Sequence, residues 1–129
     1  MRRSVPREVD VPTVEEIQGG LSISSFQELR NLLGVTEVTL GRHLSISPAT
    51  LYRRLASGRF TVQESDRLAR LTRLYAKAVE VLGDHDSARE WFMAPNASLG
   101  KKRPFDVADT DPGCVEVERL LGRIEYGVF

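Results

Sequence analysis

From Thr61 to Leu82 the chain reads TVQESDRLARLTRLYAKAVEVL, and apolar side chains recur along it at steps of three and four: Leu68, Leu71, Tyr75, Ala78 and Leu82, with Leu74 and Val81 widening the stripe. That period lines one face of an α-helix and no face of a β-strand. Thr61 and Glu64 add a capping box, in which hydroxyl and carboxylate satisfy two N–H groups that a helix start leaves without partners. Gly83 supplies the stop. At 1.5 Å per residue, about 20 residues make a rod roughly 30 Å long. Its stripe is broad enough to serve both a domain core and a partner helix.

The segments around this rod carry their own start and stop signals. Ser25 and Glu28 form a second capping box, Phe26, Leu29, Leu32 and Leu33 follow as a stripe, and Gly34 ends it. Thr36 caps a short helix with Leu40 and Leu44 one turn apart, which "SIS" then breaks at Ser45. Ser47 caps the next, Pro48 takes the first helical position, where its missing N–H costs nothing, and Gly58 closes it. Beyond Gly83, Asp84 or Asp86 starts a helix carrying Ala88, Trp91 and Phe92 that must end before Pro95. Residues 96–111 are turn-rich. Asp111-Pro112 opens a last helix with Val117, Leu120, Leu121 and Ile124 on one face and Gly127 as its cap. No strand-like alternation or internal repeat stands out.

The expected fold is therefore all-α: a helix-turn-helix N-terminal region, a long connecting helix and a small helical C-terminal region. Its expected divisions are an N-terminal arm at 1–24, the helix-turn-helix region with the long helix at 25–83, and the C-terminal region at 84–129.

Charge narrows the function. Eighteen basic and eighteen acidic residues cancel, which excludes a protein that coats nucleic acid by charge alone. The distribution is uneven: residues 1–83 carry 12 basic against 9 acidic side chains, and residues 84–129 carry 6 against 9. From Val38 to Thr61 there is no acid and there are four arginines, a footprint that suits a phosphate backbone. The single cysteine, Cys114, permits no intramolecular disulfide and no cysteine-based zinc site. No apolar run approaches the roughly 20 residues that span a bilayer, and "MRRSVPREVD" lacks the apolar segment of a signal peptide, so a soluble cytoplasmic protein is expected. His43 and His85 lie on different elements with no metal or nucleophile spacing, and read as surface or capping residues. Asp106, Asp109 and Asp111 lack the spacing of a cation loop and read as turn and cap chemistry. No catalysis, cofactor or metal is expected.

Two short helices joined by a three-residue break have helix-turn-helix geometry, with Gly41 as the small residue at the crossing and Leu40, Leu44, Ile46 and Leu51 in its apolar positions. The chain departs from that motif twice. Ser45 sits where glycine is usual in the turn, and Arg54 where an apolar residue is usual. If Leu51 and Leu55 face the core, a wheel at about 100° per residue points Ala49 and Arg53 directly away, with Thr50, Tyr52 and Arg54 on the flanks. Two readings fit that small and basic face: a helix that enters a DNA groove, and a solvated surface. The closing "RIEYGVF" leaves apolar Val128 and Phe129 either folded back or received by a partner.

The segments "TLYRRLASGRFTVQESDRLARL", "GDHDSAREWFMAPNASLGKKRPFDV" and "VERLLGRIEYGVF" together resemble the Xre/MbcA/ParS antitoxin family over roughly residues 26–129. The resemblance implies an Xre-type helix-turn-helix followed by a toxin-binding region. It implies a partner toxin of the RES type that consumes NAD, occlusion of that toxin's active site, and repression of a shared promoter as a homodimer on operator DNA. Carried over by motif, Ser47, Ala49, Thr50, Tyr52, Arg53 and Arg54 form the DNA-facing set. Trp91, Pro95, Leu99, Gly100 and Pro104 shape the toxin-binding region. Arg123, Glu125, Tyr126, Gly127, Val128 and Phe129 approach the toxin. Two alternatives stand beside this: an inhibitor whose helix-turn-helix serves only dimerisation, and a free-standing DNA-binding regulator with an effector-binding C-terminal region.

Overall fold

A computed structural model describes residues 9–127. The described chain is helical: α1 (Val14–Gln18), α2 (Ile23–Leu33), α3 (Glu37–His43), α4 (Pro48–Ser57), α5 (Val62–Leu82), α6 (His85–Met93), a 3₁₀ turn (Ala97–Leu99), α7 (Pro104–Val107) and α8 (Asp111–Glu125). No strand forms among the described residues, and β-pairing there consists of isolated bridges such as Ser22 with Arg59 and Asn96 with Lys102. The chain divides into two compact units, Val11–Thr72 and the part from Arg73 onward. The division falls inside α5, whereas the sequence placed a boundary at its end.

In the first unit the local signals at α3, α4 and α5 act as expected. The hydroxyls of Thr36 and Ser47 accept the N–H groups of Thr39 and Thr50, and Gly58 closes α4 in the left-handed conformation. At α5, Glu64 Oε1 accepts from Thr61 N–H at 2.9 Å while Thr61 Oγ1 accepts from Glu64 N–H at 3.2 Å. Phe26, Leu29, Leu33, Leu40, Leu44, Leu51, Phe60, Leu68 and Leu71 fill the core, with the Phe26 and Phe60 rings 5.3 Å apart.

The start of this unit differs from the sequence expectation. Residues 13–18 form a capped helix, because Thr13 and Glu16 make a reciprocal capping box of their own. Helix α2 begins at Ile23 behind Ser22, not at Ser25, and no side chain caps it. Its entry is fixed from afar: Phe60 N–H donates to Leu21 O at 3.0 Å, and Ile23 N–H to Gly58 O at 3.2 Å. The buried Ser65 hydroxyl accepts from Leu21 N–H at 2.7 Å. Gly20 stands at φ +82, and a Cβ there would lie 2.5 Å from Phe60 O, so only glycine lets these two segments meet.

In the second unit Tyr75, Ala78, Ala88, Phe92, Phe105, Val117 and Leu121 form the core. Tyr75 stacks on Phe92 at 5.8 Å, and Phe105 meets Phe92 edge-on at 6.4 Å, the arrangements that the ring quadrupole favours. Helix α6 starts behind Asp84, which accepts from Ser87 N–H, and ends before Pro95. The turn-rich stretch is more ordered than its composition suggested. Asn96 Oδ1 accepts from Ser98 N–H, Gly100 and Lys101 both take positive φ, and buried Pro104 opens α7. Asp106 accepts two hydrogen bonds from Arg103, whose guanidinium also lies 5.6 Å from the Phe105 ring centroid. Asp111 sits in the first turn of α8, and Cys114 is buried with its thiol donating to Ala108 O.

Candidate functional sites

Helices α3 and α4 are joined by Leu44, Ser45 and Ile46. Ser45 N–H donates to Arg42 O at 3.0 Å and Ile46 N–H to Gly41 O at 2.8 Å, the paired bonds of a Schellman C-cap. The residue that carries the first of those donors must be left-handed, and Ser45 is, at φ 62. The turn therefore keeps its geometry without the usual glycine. Gly41 is buried at the crossing, where an added Cβ would come within 3.0 Å of Leu51 Cδ2, so its smallness sets how closely α4 approaches α3.

On the outer side of α4, Ala49, Thr50, Tyr52 and Arg53 share the face that the wheel assigned, and Ser47 stands exposed at the N-cap. Ser47 Oγ and Arg53 Nη2 both bond Thr50 Oγ1, at 3.0 and 3.2 Å, so a short polar chain runs along the first turns and holds the guanidinium against its own helix. Tyr52 is 77% exposed. An aromatic side chain and a guanidinium standing in water beside a helix N-terminus offer donors and an apolar edge to a base or a phosphate.

Arg54 is not brought to that face. Its Nε donates to Glu64 Oε1 at 2.8 Å, with side-chain exposures of 27% and 10%. An ion pair to α5 thus fills the place where the motif carries an apolar residue. Burial acts to raise the Glu64 carboxyl, but the Arg54 and Thr61 hydrogen bonds outweigh it and hold the group below its ordinary value. The same hydrogen bond raises Arg54. Glu64 was legible as a cap; its second duty was not, because ten residues of separation between helices leave no periodic trace.

The residues assigned to partner binding divide into three kinds. Leu99 and Pro104 are buried and Gly100 takes φ +64, so Leu99 and Gly100 build the loop between α6 and α7 and Pro104 anchors the start of α7. Trp91 is half-buried, its ring tilted against Phe92 at 6.3 Å, and Pro95 is exposed. At the end of α8, Arg123 is exposed, Tyr126 is 79% exposed, and Gly127 turns at φ +68. Val128 and Phe129 lie outside the described residues. Glu125 accepts from Lys77 Nζ at 3.0 Å, which ties the last turn of α8 to α5 and raises the lysine through that hydrogen bond. Lys77 is the residue the sequence did not reveal here.

His85 heads α6, where its carbonyl accepts from Tyr75 Oη at 3.3 Å and the two rings stack at 6.3 Å. Among the described residues no group of three or more His, Cys, Asp or Glu side chains is placed to hold a metal ion, and no helix is long and apolar enough to cross a membrane.

Comparison with known proteins follows the same division. The family model described as the antitoxin Xre-like helix-turn-helix domain matches residues 12–73. The model described as the antitoxin Xre/MbcA/ParS C-terminal toxin-binding domain matches residues 77–127. An Antitoxin Xre of Yersinia enterocolitica is 33% identical over 135 residues, covering 98% of this chain and 91% of the relative. An Antitoxin Xre of Photorhabdus laumondii is 33% identical over 111 residues, covering 84% and 75%. Among solved structures, a chain of the M. tuberculosis MbcT-MbcA toxin-antitoxin complex aligns with a TM-score of 0.59 at 27% identity, over 82% of this chain and 95% of that one.

Proposed function

Because the chain belongs to the Xre/MbcA/ParS antitoxin family, we propose that it binds and blocks the active site of a RES-type, NAD-degrading toxin and represses their shared operon through its helix-turn-helix. It works in the cytoplasm by binding, without chemistry, cofactor or metal of its own. The observation that carries this reading is the match of a toxin-binding domain to residues 77–127, behind a helix-turn-helix at 12–73. The solved neighbour, itself part of a toxin-antitoxin complex, supports the same pairing.

Each task has its residues. Arg123, Glu125, Tyr126 and Gly127 lead into the toxin site, continued by Val128 and Phe129. Trp91, Pro95, Leu99, Gly100 and Pro104 shape the surface beside them. The acidic balance of residues 84–129 suits a pocket that otherwise receives a phosphate-bearing dinucleotide. On DNA, Arg53 and Tyr52 make the principal contacts, with Ser47, Ala49 and Thr50 lining the approach. A homodimer places two such helices one helical turn of DNA apart.

Toxin neutralisation is tested by co-expression with the protein of the adjoining reading frame. The full chain should restore growth and cellular NAD, and loss of residues 126–129 should abolish the rescue. Rescue by the truncated chain would refute the assignment of that segment. Operator binding is tested by gel shift of upstream DNA across a salt series. Each phosphate contact contributes about 0.9 to the log-log slope, so Arg53→Ala should reduce it by about 1.

A second reading draws on the ion pair of Arg54 with Glu64, which takes one basic side chain away from the groove face. In that reading the helix-turn-helix serves dimerisation alone. The absence of any shift at micromolar protein would favour it.

A further inference from the structure

Two glycines of α8 stand in opposite situations. At Gly113 an added Cβ would fall 1.7 Å from Val107 O, so the chain's own packing demands glycine there. At Gly122 an added Cβ would meet nothing within 4 Å. Gly122 lies inside a regular helix and takes no positive φ. Glycine in such a position weakens a helix relative to alanine, and nothing in this fold repays that loss.

The direction in which Gly122 points supplies the reason. The buried face of α8 comprises Gly113, Cys114, Val117, Leu120 and Leu121. At about 100° per residue, Val115, Arg119, Gly122 and Tyr126 fall together on the opposite side, at i, i+4, i+7 and i+11. Val115 is 40% exposed and Tyr126 79% exposed. Val115 and Tyr126 therefore stand in water on either side of Arg119 and of the bare backbone at Gly122. That is the arrangement through which another chain comes into direct contact with a helix, since a glycine permits the close approach that any Cβ would block.

We infer that the outward stripe of α8, formed by Val115, Arg119, Gly122 and Tyr126, is a docking face for the toxin, with part of the toxin packed directly on the α8 backbone at Gly122. The inference rests on the toxin-binding reading given above. Three observations select this occupant. The toxin-binding domain matches residues 77–127, which include all of α8. The inner face of the helix is already used by its own core, so a partner of α8 must take an exposed side, and this is the side on which Val115, Gly122 and Tyr126 stand together. The stripe is continuous with Tyr126 and Gly127, where the segment assigned to the toxin site begins.

Gly122→Ala separates stability from binding, because it moves them in opposite directions. The test titrates the purified full chain with the purified, catalytically inactivated protein of the adjoining reading frame, by calorimetry, beside thermal melts of each variant alone. Gly122→Ala should raise the melting temperature by about 2–5 °C, while weakening the complex about tenfold. Gly122→Leu, which stays folded because nothing surrounds the site, should weaken it about a hundredfold or more. Glu116→Ala, exposed on the same helix but off the stripe, should bind within about twofold of wild type. If Gly122→Leu binds as tightly as wild type, the docking face is overturned and the toxin-binding reading stands. If wild type itself fails to bind, both fall. If Gly122→Leu binds toxin normally but no longer self-associates in sedimentation, the stripe belongs to a second copy and the inference is overturned.

Discussion

Gly113→Ala adds one methyl group at the start of α8, and the structure fixes where it goes. The new carbon would lie 1.7 Å from Val107 O, 2.8 Å from Val107 C and 3.0 Å from Thr110 Oγ1. An ordinary carbon–oxygen contact needs roughly 3.3 Å, so about 1.5 Å of separation must open between the end of α7 and the first turn of α8. The nearest atoms are backbone, and no rotamer change relieves the clash. Opening the gap strains the Thr110 cap, whose Oγ1 accepts Gly113 N–H at 3.1 Å, and the bond from Cys114 Sγ to Ala108 O at 3.2 Å. Loss of such a cap costs about 1 kcal/mol. Overpacking adds about 1–3 kcal/mol, and alanine's better helix propensity returns up to about 1 kcal/mol. The net expectation is a destabilisation of about 2–3 kcal/mol, or a melting temperature lower by about 10 °C in a chain of this size. Trp91, the only tryptophan, belongs to the same unit, so its fluorescence follows the relevant transition. Gly122→Ala is the internal control, because it makes the same substitution in the same helix with open space around it. Equal shifts for the two variants, or a Gly113→Ala melt within about 2 °C of wild type, would refute the argument from close approach.

Two further outcomes follow from the helix-turn-helix. Ser45→Gly should stabilise the protein by about 0.5–1 kcal/mol in urea titration, since a left-handed serine costs about 1–2 kcal/mol and glycine's unfolded-state entropy returns only part of it; a lower urea midpoint would contradict the strain assigned to φ 62. The Glu64 carboxyl is held low in the folded state, so its contribution to stability is present above the unfolded value near pH 4.3 and is lost as the pH falls through the folded value. Glu64→Gln should therefore flatten the acid limb of the stability profile, and an unchanged limb would mean that the Arg54 pair contributes nothing to it.

What was legible in the sequence was what neighbouring residues decide among themselves. Ser47 with Pro48 and Gly58, or Thr61 with Glu64, carry start and stop within a few positions, and the structure places α4 and α5 accordingly. The family resemblance extended that legibility to the order of the two domains. The features that escaped are non-local. Residues 20–22 look like a loose end until Phe60 and Ser65 supply hydrogen-bond partners some forty residues away. Arg54 looks like a groove-facing cation until its guanidinium is seen to donate to Glu64 on the next helix. At the candidate partner site the sequence named Glu125 but not Lys77, which holds it across 48 positions.

Glycine sharpens the distinction, because its letter is the same whatever requires it. Gly34 and Gly58 are read from sequence as helix ends, and their left-handed φ is a local property that bears this out. Gly41 needs the helix-turn-helix pattern before its closeness to Leu51 is expected. Gly113 and Gly122 share one helix, yet a backbone carbonyl stands against the first and open space against the second. Only the first is explained by the fold of this chain, so the second has to be explained by something that meets the chain from outside. Opposite signs for the two alanine substitutions would establish that difference in stability, and a weakened toxin complex in the more stable variant would identify what lies outside.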